Sequence, residues 1–201
     1  DRAHELILAR LDVPGSIFET LRQLEDRDLS RAEVSHSRVA VPGCDSALEL
    51  QRYVFDRKPD ALVRQAGAPS IPERVRRDVL AALAALDPAL GIEVQEEVLR
   101  TLWLNDPRYV EAAPPQEVAR MLRLLHQARS HAGFFLGVEP PEEEDVEPNE
   151  VNVLFAVESP PPRDYLTQLV DVFHGLNLGV RRSLTMTVST VAHPFFLGSF
   201  H

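Results

Sequence analysis

Residues 6–29 read LILARLDVPGSIFETLRQLEDRDL, and their reading decides the fold. Leu6, Ile7, Leu8, Ala9 and Leu11 form an apolar run of strand length, whereas Ile17, Phe18, Leu21 and Leu24 recur at helical spacing. The chain therefore passes from strand to helix at Asp12-Val13-Pro14-Gly15. Pro14 fixes its own φ, and Gly15 accepts backbone angles that a β-carbon opposes, so the turn can be tight. The first helical amides, at Ser16 and Ile17, lack partners inside the helix and lie at the positive end of its dipole. A carboxylate suits that position. The plainer reading is a simple connection whose amides are satisfied by the Ser16 side chain or by water.

Downstream, residues 28–31 break the helical pattern, and Val39–Val41 and Leu48–Phe55 flank the turn-forming loop PGCDSA, which predicts a β-hairpin. Leu48, Leu50 and, less regularly, Tyr53 and Phe55 supply an apolar face, with Glu49, Gln51 and Arg52 between them. From residue 59 to 132 the pattern is helical. Ser70-Ile71-Pro72-Glu73 has the form of a capping box. A helix follows through Val75, Val79, Leu80, Leu83 and Leu86 and stops at Asp87-Pro88. A second spans Ile92 to Leu104 and ends at Asn105-Asp106-Pro107. A third opens at Pro114-Pro115 and carries Val118, Met121, Leu122 and Leu125. Trp103 and Met121 read as core of a three-helix bundle. His126 and His131, five apart, do not share a helical face as a metal pair would.

Phe134–Val138 is an apolar run of strand type, and residues 133–138 are expected to give the first sheet its fourth strand. Residues 139–150, EPPEEEDVEPNE, read as an extended acidic linker whose run Glu142–Asp145 is solvated. The end of the chain then repeats its beginning. Val151–Val157 is a strand. Pro160-Pro161-Pro162 opens a helix carrying Leu166, Leu169, Phe173 and Leu176, which ends at Asn177-Leu178-Gly179. Leu184, Met186 and Val188 alternate with Thr185, Thr187 and Ser189, which predicts a strand with one buried face. Phe195–Phe200 is a last strand whose open edge would favour association. The fold class is α+β. It comprises a βαββ unit over 1–58, a helical insert over 59–132, the linker over 139–150, and a second βαββ unit over 151–201. The absent initiator Met and a last residue, His201, inside an apolar run read as a fragment of a longer polypeptide, truncated at its C-terminus.

Composition removes several function classes. A net charge of −10 disfavours nucleic acid and anionic membrane surfaces, both of which require clustered cations. One cysteine, Cys44, allows no internal disulfide and no cysteine-based zinc site. No apolar run has the length of a membrane span and no signal peptide opens the chain, so a cytoplasmic address is expected. The single lysine, Lys58, lies among turn residues. No catalytic or metal-ligating set is read from the sequence. Ser16, Ser159 or Ser189 with His193 lacks the elbow motif a serine nucleophile needs.

Strand, helix and hairpin with Asp12-Val13-Pro14-Gly15 at the first turn, followed by Ile17, Leu21 and Leu24, resemble the ACT domain. That family is a ferredoxin-like βαββαβ module that senses amino acids. The resemblance implies a ligand site at Asp12, Val13, Pro14, Gly15, Ser16 and Ile17, located where two modules pack together. Helix-start amides would take the effector's carboxylate and residues near Asp12 its ammonium. The second copy departs from the pattern, because Glu158-Ser159-Pro160-Pro161-Pro162 has Pro where Gly15 stands and each Pro removes a donor.

YVFDRKPD (53–60), LRTLWLNDPRYV (99–110), QLVDVFHGLNLGVRRS (168–183) and VSTVAHPFFLGSF (188–200) resemble the N-terminal region of the large NAD-dependent glutamate dehydrogenases of the Glu/Leu/Phe/Val dehydrogenase group. What that implies is a parent oxidoreductase of amino-acid metabolism that oxidatively deaminates L-glutamate to 2-oxoglutarate. This chain would be its non-catalytic regulatory region, with an amino-acid effector, the downstream catalytic domain and a homo-oligomer as partners. The chain holds no cofactor motif of its own, since no GxGxxG occurs among its nine glycines; NAD would belong to the parent. The alternative is a purely structural assembly module with no small ligand. The sensor reading expects Gly15→Val to abolish binding in a folded protein.

Overall fold

The computed structural model describes residues 4–13, 15–24, 29–40, 42–43, 46–55, 70–140, 150–160, 165–176 and 178–201, with backbone alone at 38 and 39. Pro14, Cys44, Lys58, the run 142–145, and Pro161 and Pro162 lie outside the described residues. The first part of the chain forms β1 (His4–Leu11), α1 (Ser16–Leu24), β2 (Leu29–Ala40) and β3 (Ala47–Phe55). Four helices follow: α2 (Glu73–Leu86), α3 (Ile92–Asn105), α4 (Pro107–Ala112) and α5 (Pro115–Ser130). The last part forms β4 (Phe134–Glu139), β5 (Asn152–Glu158), α6 (Tyr165–Gly175), β6 (Arg182–Ser189) and β7 (Pro194–Phe200).

All seven strands join one antiparallel sheet in the order β1-β3-β2-β6-β7-β5-β4. β3 lies between β1 and β2, antiparallel to both, and β7 lies in the same way between β5 and β6. The two strand-helix-strand-strand pieces meet edge to edge where β2 pairs with β6, from Arg31 opposite Met186 to Ser35 opposite Arg182. Because that junction is antiparallel, an approximate two-fold axis relates the pieces. Helices α1 and α6 lie together on one face of the sheet, over a core of Leu21, Tyr53, Phe155, Val170, Phe196 and Phe200. Helices α2–α5 cover the other face chiefly over β4–β7, where Leu99, Leu122 and Leu125 meet Leu154, Leu184 and Leu197. Each fully buried leucine there contributes about 1.5–3 kcal/mol. No helix among the described residues is long and apolar enough to cross a membrane.

Several sequence-based expectations are corrected. Residues 134–139 do not complete the first unit: β4 pairs with β5, Phe134 opposite Val157 through Glu139 opposite Asn152. The reversal at 131–133, with Gly133 at φ +85° and its carbonyl accepting from Glu158 N at 2.6 Å, turns the chain after α5 onto that edge. Phe195–Phe200 is no open edge either, since β7 sits inside the sheet; the free edges are β1 and β4. Its Gly198 is required by packing, as a β-carbon there would come within 2.3 Å of the Phe155 ring. The β6 strand is buried on both faces, with Ser183 and Thr185 as enclosed as Leu184 and Met186, because helices lie on both sides of it.

Among its described residues the helical segment contains four helices rather than the three expected. Asp106 ends α3 and caps α4, its carboxylate accepting from Tyr109 N at 2.9 Å and pairing with Arg31 of β2. The capping box does not form: Pro72 holds the N-cap position of α2, with no side-chain cap. β2 is far longer than the hairpin reading of 39–41, extending back to Leu29, because its inward residues Ala32, Val34 and His36 carry too little hydrophobicity to stand out in the pattern.

Candidate functional site

The strand pairing of the first unit places a charged residue where the pattern predicted solvent. Tyr53 and Gln51 lie opposite Leu6 and Leu8 and face α1, so Glu49, two residues further along β3, faces α1 as well. Leu48 and Leu50 point to the uncovered face and are 41% and 43% exposed, whereas Glu49 is 1% exposed. Burying a carboxylate is tolerated only when its oxygens are satisfied. Glu49 Oε1 accepts from Arg10 Nε at 2.9 Å and Gln51 Nε2 at 2.5 Å, and Ser16 Oγ lies 2.7 and 2.5 Å from the two oxygens. His36 Nε2 is 2.9 Å from Oε2. Arg10 also donates to Thr20 Oγ1, and Tyr53 OH to Gln51 Oε1.

Burial alone pushes the Glu49 carboxyl up. The hydrogen bonds from His36, Ser16 and Arg10 outweigh burial and bring it from the ordinary 4.5 down to about 2. His36 moves the other way. Its hydrogen bond to Glu49 raises it against the effect of burial, and the Asp12 carboxylate, 3.7 Å from Nε2, adds to the rise. The result is an ionised Glu49 beneath the start of α1, with Arg10 and a His36 shifted toward its protonated form beside it.

This cluster forms the floor of a cleft of about 730 Å³ that opens between the two units, across the β2–β6 seam. Asp12, Val13, Gly15, Ser16 and Ile17 line one wall. The opposite wall comes from the second unit, with Val170, Phe173 and His174 of α6, residues 178–181, and Phe200 and His201. Five of the six positions read from the sequence therefore converge on one cavity, and the sixth, Pro14, lies outside the described residues. Gly15 has φ +85°, with the His174 ring 3.9 Å from where a β-carbon would stand. A β-branched residue at that angle is strained by about 1–3 kcal/mol. Gly15→Val would thus report on folding as well as on binding, and Asp12, 42% exposed at its side chain, is the cleaner probe.

The expectation for the helix-start amides needs one correction. Ser16 N donates to Val13 O at 3.0 Å, and the Ser16 hydroxyl is committed to Glu49. The protein has thus placed its own carboxylate beneath this helix start. What the cleft offers a ligand is the exposed Asp12 carboxylate for a cationic group, the apolar walls of Phe173, Val170 and Val180, and a polar rim of His174, His201 and Arg181, the last paired with Glu150 at 2.6 Å. Glu49 escaped the sequence reading because it lies between apolar residues of β3 that read as the buried face, and His36 because the pattern marks a strand only over 39–41. The far wall could be reached only through the β2–β6 pairing, which joins residues some 150 positions apart in the chain.

No family model, no curated protein and no solved structure matches this chain.

Proposed function

We propose that the chain is a non-catalytic, amino-acid-sensing module whose effector binds in the cleft between its two units. On this reading each unit is an ACT-like, ferredoxin-like half, and the whole is the N-terminal regulatory region of a large NAD-dependent glutamate dehydrogenase. The carrying observation is the convergence of Asp12, Val13, Gly15, Ser16 and Ile17 with residues of α6, β7 and the segment 178–181 around one cavity. A cavity walled by both units gives a ligand leverage on how they sit together, and differential contact of that kind is what regulation needs. Asp12 would receive the effector's ammonium, and the rim of Arg181 and His174 its carboxylate.

A thermal-shift screen against the twenty L-amino acids and several 2-oxo acids tests this. A ligand at one hundred times its Kd adds about 2.7 kcal/mol, several degrees for a chain of this size. At least one amino acid is expected to produce that shift, and Asp12→Asn to remove it.

The second reading, assembly, draws on a different observation. β4 is a free edge whose Phe134, Leu136 and Val138 are 55%, 59% and 65% exposed in a row, the arrangement by which strands pair between copies. Light scattering behind size exclusion separates the two: a concentration-dependent oligomer that Leu136→Lys dissolves, with no ligand found, would favour assembly.

A further inference from the structure

We propose that Asp12, His36 and Glu49 bind a divalent transition-metal ion, Zn²⁺ fitting best, at the floor of the cleft. One ligating atom from each residue lies within 4.8 Å of the others. His36 Nε2 is 2.9 Å from Glu49 Oε2 and 3.7 Å from Asp12 Oδ1. Ligands on one zinc ion, with bonds of about 2.0–2.2 Å, stand roughly 3.0–3.4 Å apart, so two of these separations bracket the required value. Asp12, the exposed member, needs only a small side-chain movement to close the third.

Two further features distinguish the cluster from an ordinary surface ion pair. The first is that Glu49 divides its oxygens. Oε1 is held by Arg10 and Gln51, while Oε2 faces His36 and is shared with Ser16. A metal on Oε2 therefore leaves the Arg10 pair intact, and Arg10 fixes the carboxylate's orientation. The second is enclosure: Glu49 is 1% and His36 11% exposed at the side chain, so two of the three ligating groups are held inside the protein rather than on its surface. One imidazole and two carboxylates is a donor set that favours zinc over magnesium or calcium, which prefer oxygen alone.

In the metal-free protein Nε2 lies at hydrogen-bond distance from Glu49 Oε2, a contact that needs a proton between the two atoms. Binding consequently exchanges that proton for the metal, with the proton released to solvent and no change of oxidation state. Affinity is expected to rise with pH, because an imidazole must be deprotonated to ligate. The other polar groups near this end of the cleft, Arg10 against Glu49 and Arg181, Glu150, His174 and His201 in the lining, donate no atom to the set. Open coordination positions would face the cleft; the metal and the amino-acid reading draw on the same Asp12 carboxylate, and titration with metal alone, together with His36→Gln, tests the metal site separately.

The test is titration of the chelator-treated chain with ZnCl₂ and CoCl₂ alone at pH 6.0 and 7.5, by calorimetry and by Co²⁺ visible absorption. One equivalent is expected to bind, more tightly at the higher pH and with proton release. Asp12→Asn and His36→Gln, each checked for folding by circular dichroism, should weaken binding by about tenfold or more. Absence of a one-equivalent site, or equal affinity in both variants, as adventitious binding at surface histidines would give, overturns the proposal.

Discussion

The two units share one topology and differ in what covers them. The second has helices on both faces of its sheet, and its strands read accordingly: β5 (NVLFAVE) and β7 (PFFLGSF) are nearly continuous apolar runs. The first unit has α1 on one face, and on the other, among the described residues, only the α3–α4 junction reaches it, through Asp106 and Tyr109 at Arg31. It leaves Ile7, Leu11, Leu48 and Leu50 between 41% and 59% exposed while enclosing Glu49 and Gln51. An identical path of the chain thus produces a hydrophobic slab in one half and a buried polar network in the other. The difference shows that the direction of a strand's pattern is set by its neighbours as well as by its hydrophobic residues. A polar residue goes inside where partners satisfy it, and an apolar one stays outside where nothing comes to cover it.

The sharpest way to break this contrast is to truncate equivalent apolar positions. Leu197→Ala, at a fully buried position of β7, should cost about 2–5 kcal/mol in chemical denaturation, whereas Leu50→Ala, on the open face of β3, should cost well under 1 kcal/mol. Equal losses would show that the open face is covered in solution. Next in size is the polar network. Glu49→Gln keeps the shape but removes the charge that Arg10 and His36 answer, and a loss of about 3 kcal/mol is expected from the depression of its carboxyl from 4.5 to about 2.

A smaller effect follows from pH. Glu49 is lowered, so its contribution is complete above about 4.5 and disappears as pH falls toward 2. His36 is raised, so its contribution is complete below 6.5 and disappears as pH climbs through its folded-state value. Both are present together between about pH 4.5 and 6.5. Urea melts at pH 5.5 and 8.5 should therefore show a decline on the alkaline side that His36→Gln removes. The smallest expected effect is at Ile7→Ala, on the free edge β1, which should leave the midpoint within about 0.5 kcal/mol of the parent.

The same contrast explains what the sequence made legible. Helical spacing located α2, α3, α5 and the body of α6, because each presents a regular apolar face to a covered core. The turn at Asp12–Ile17 was readable because a strand gives way there to a helix at a glycine with positive φ. The inward orientation of Glu49 was not. Alternation along β3 fits either face, and the choice depends on Arg10, Ser16 and His36, which reach it from three other elements. The placement of β4 was lost for a related reason: an apolar strand announces that it needs a sheet but not which edge receives it. Half of the cleft was hidden because its far wall is assembled by the pairing of β2 with β6, a contact without a local signature.

The most direct measurement is an amide ¹H–¹⁵N correlation spectrum of the chain titrated with each of the twenty L-amino acids. The account predicts that at least one of them moves resonances in two groups at the same concentration, Asp12–Ile17 of the first unit and residues 173–181 of the second. No movement with any amino acid, or movement confined to one unit or to sites away from the cleft, would contradict a sensor built at the junction of the two halves.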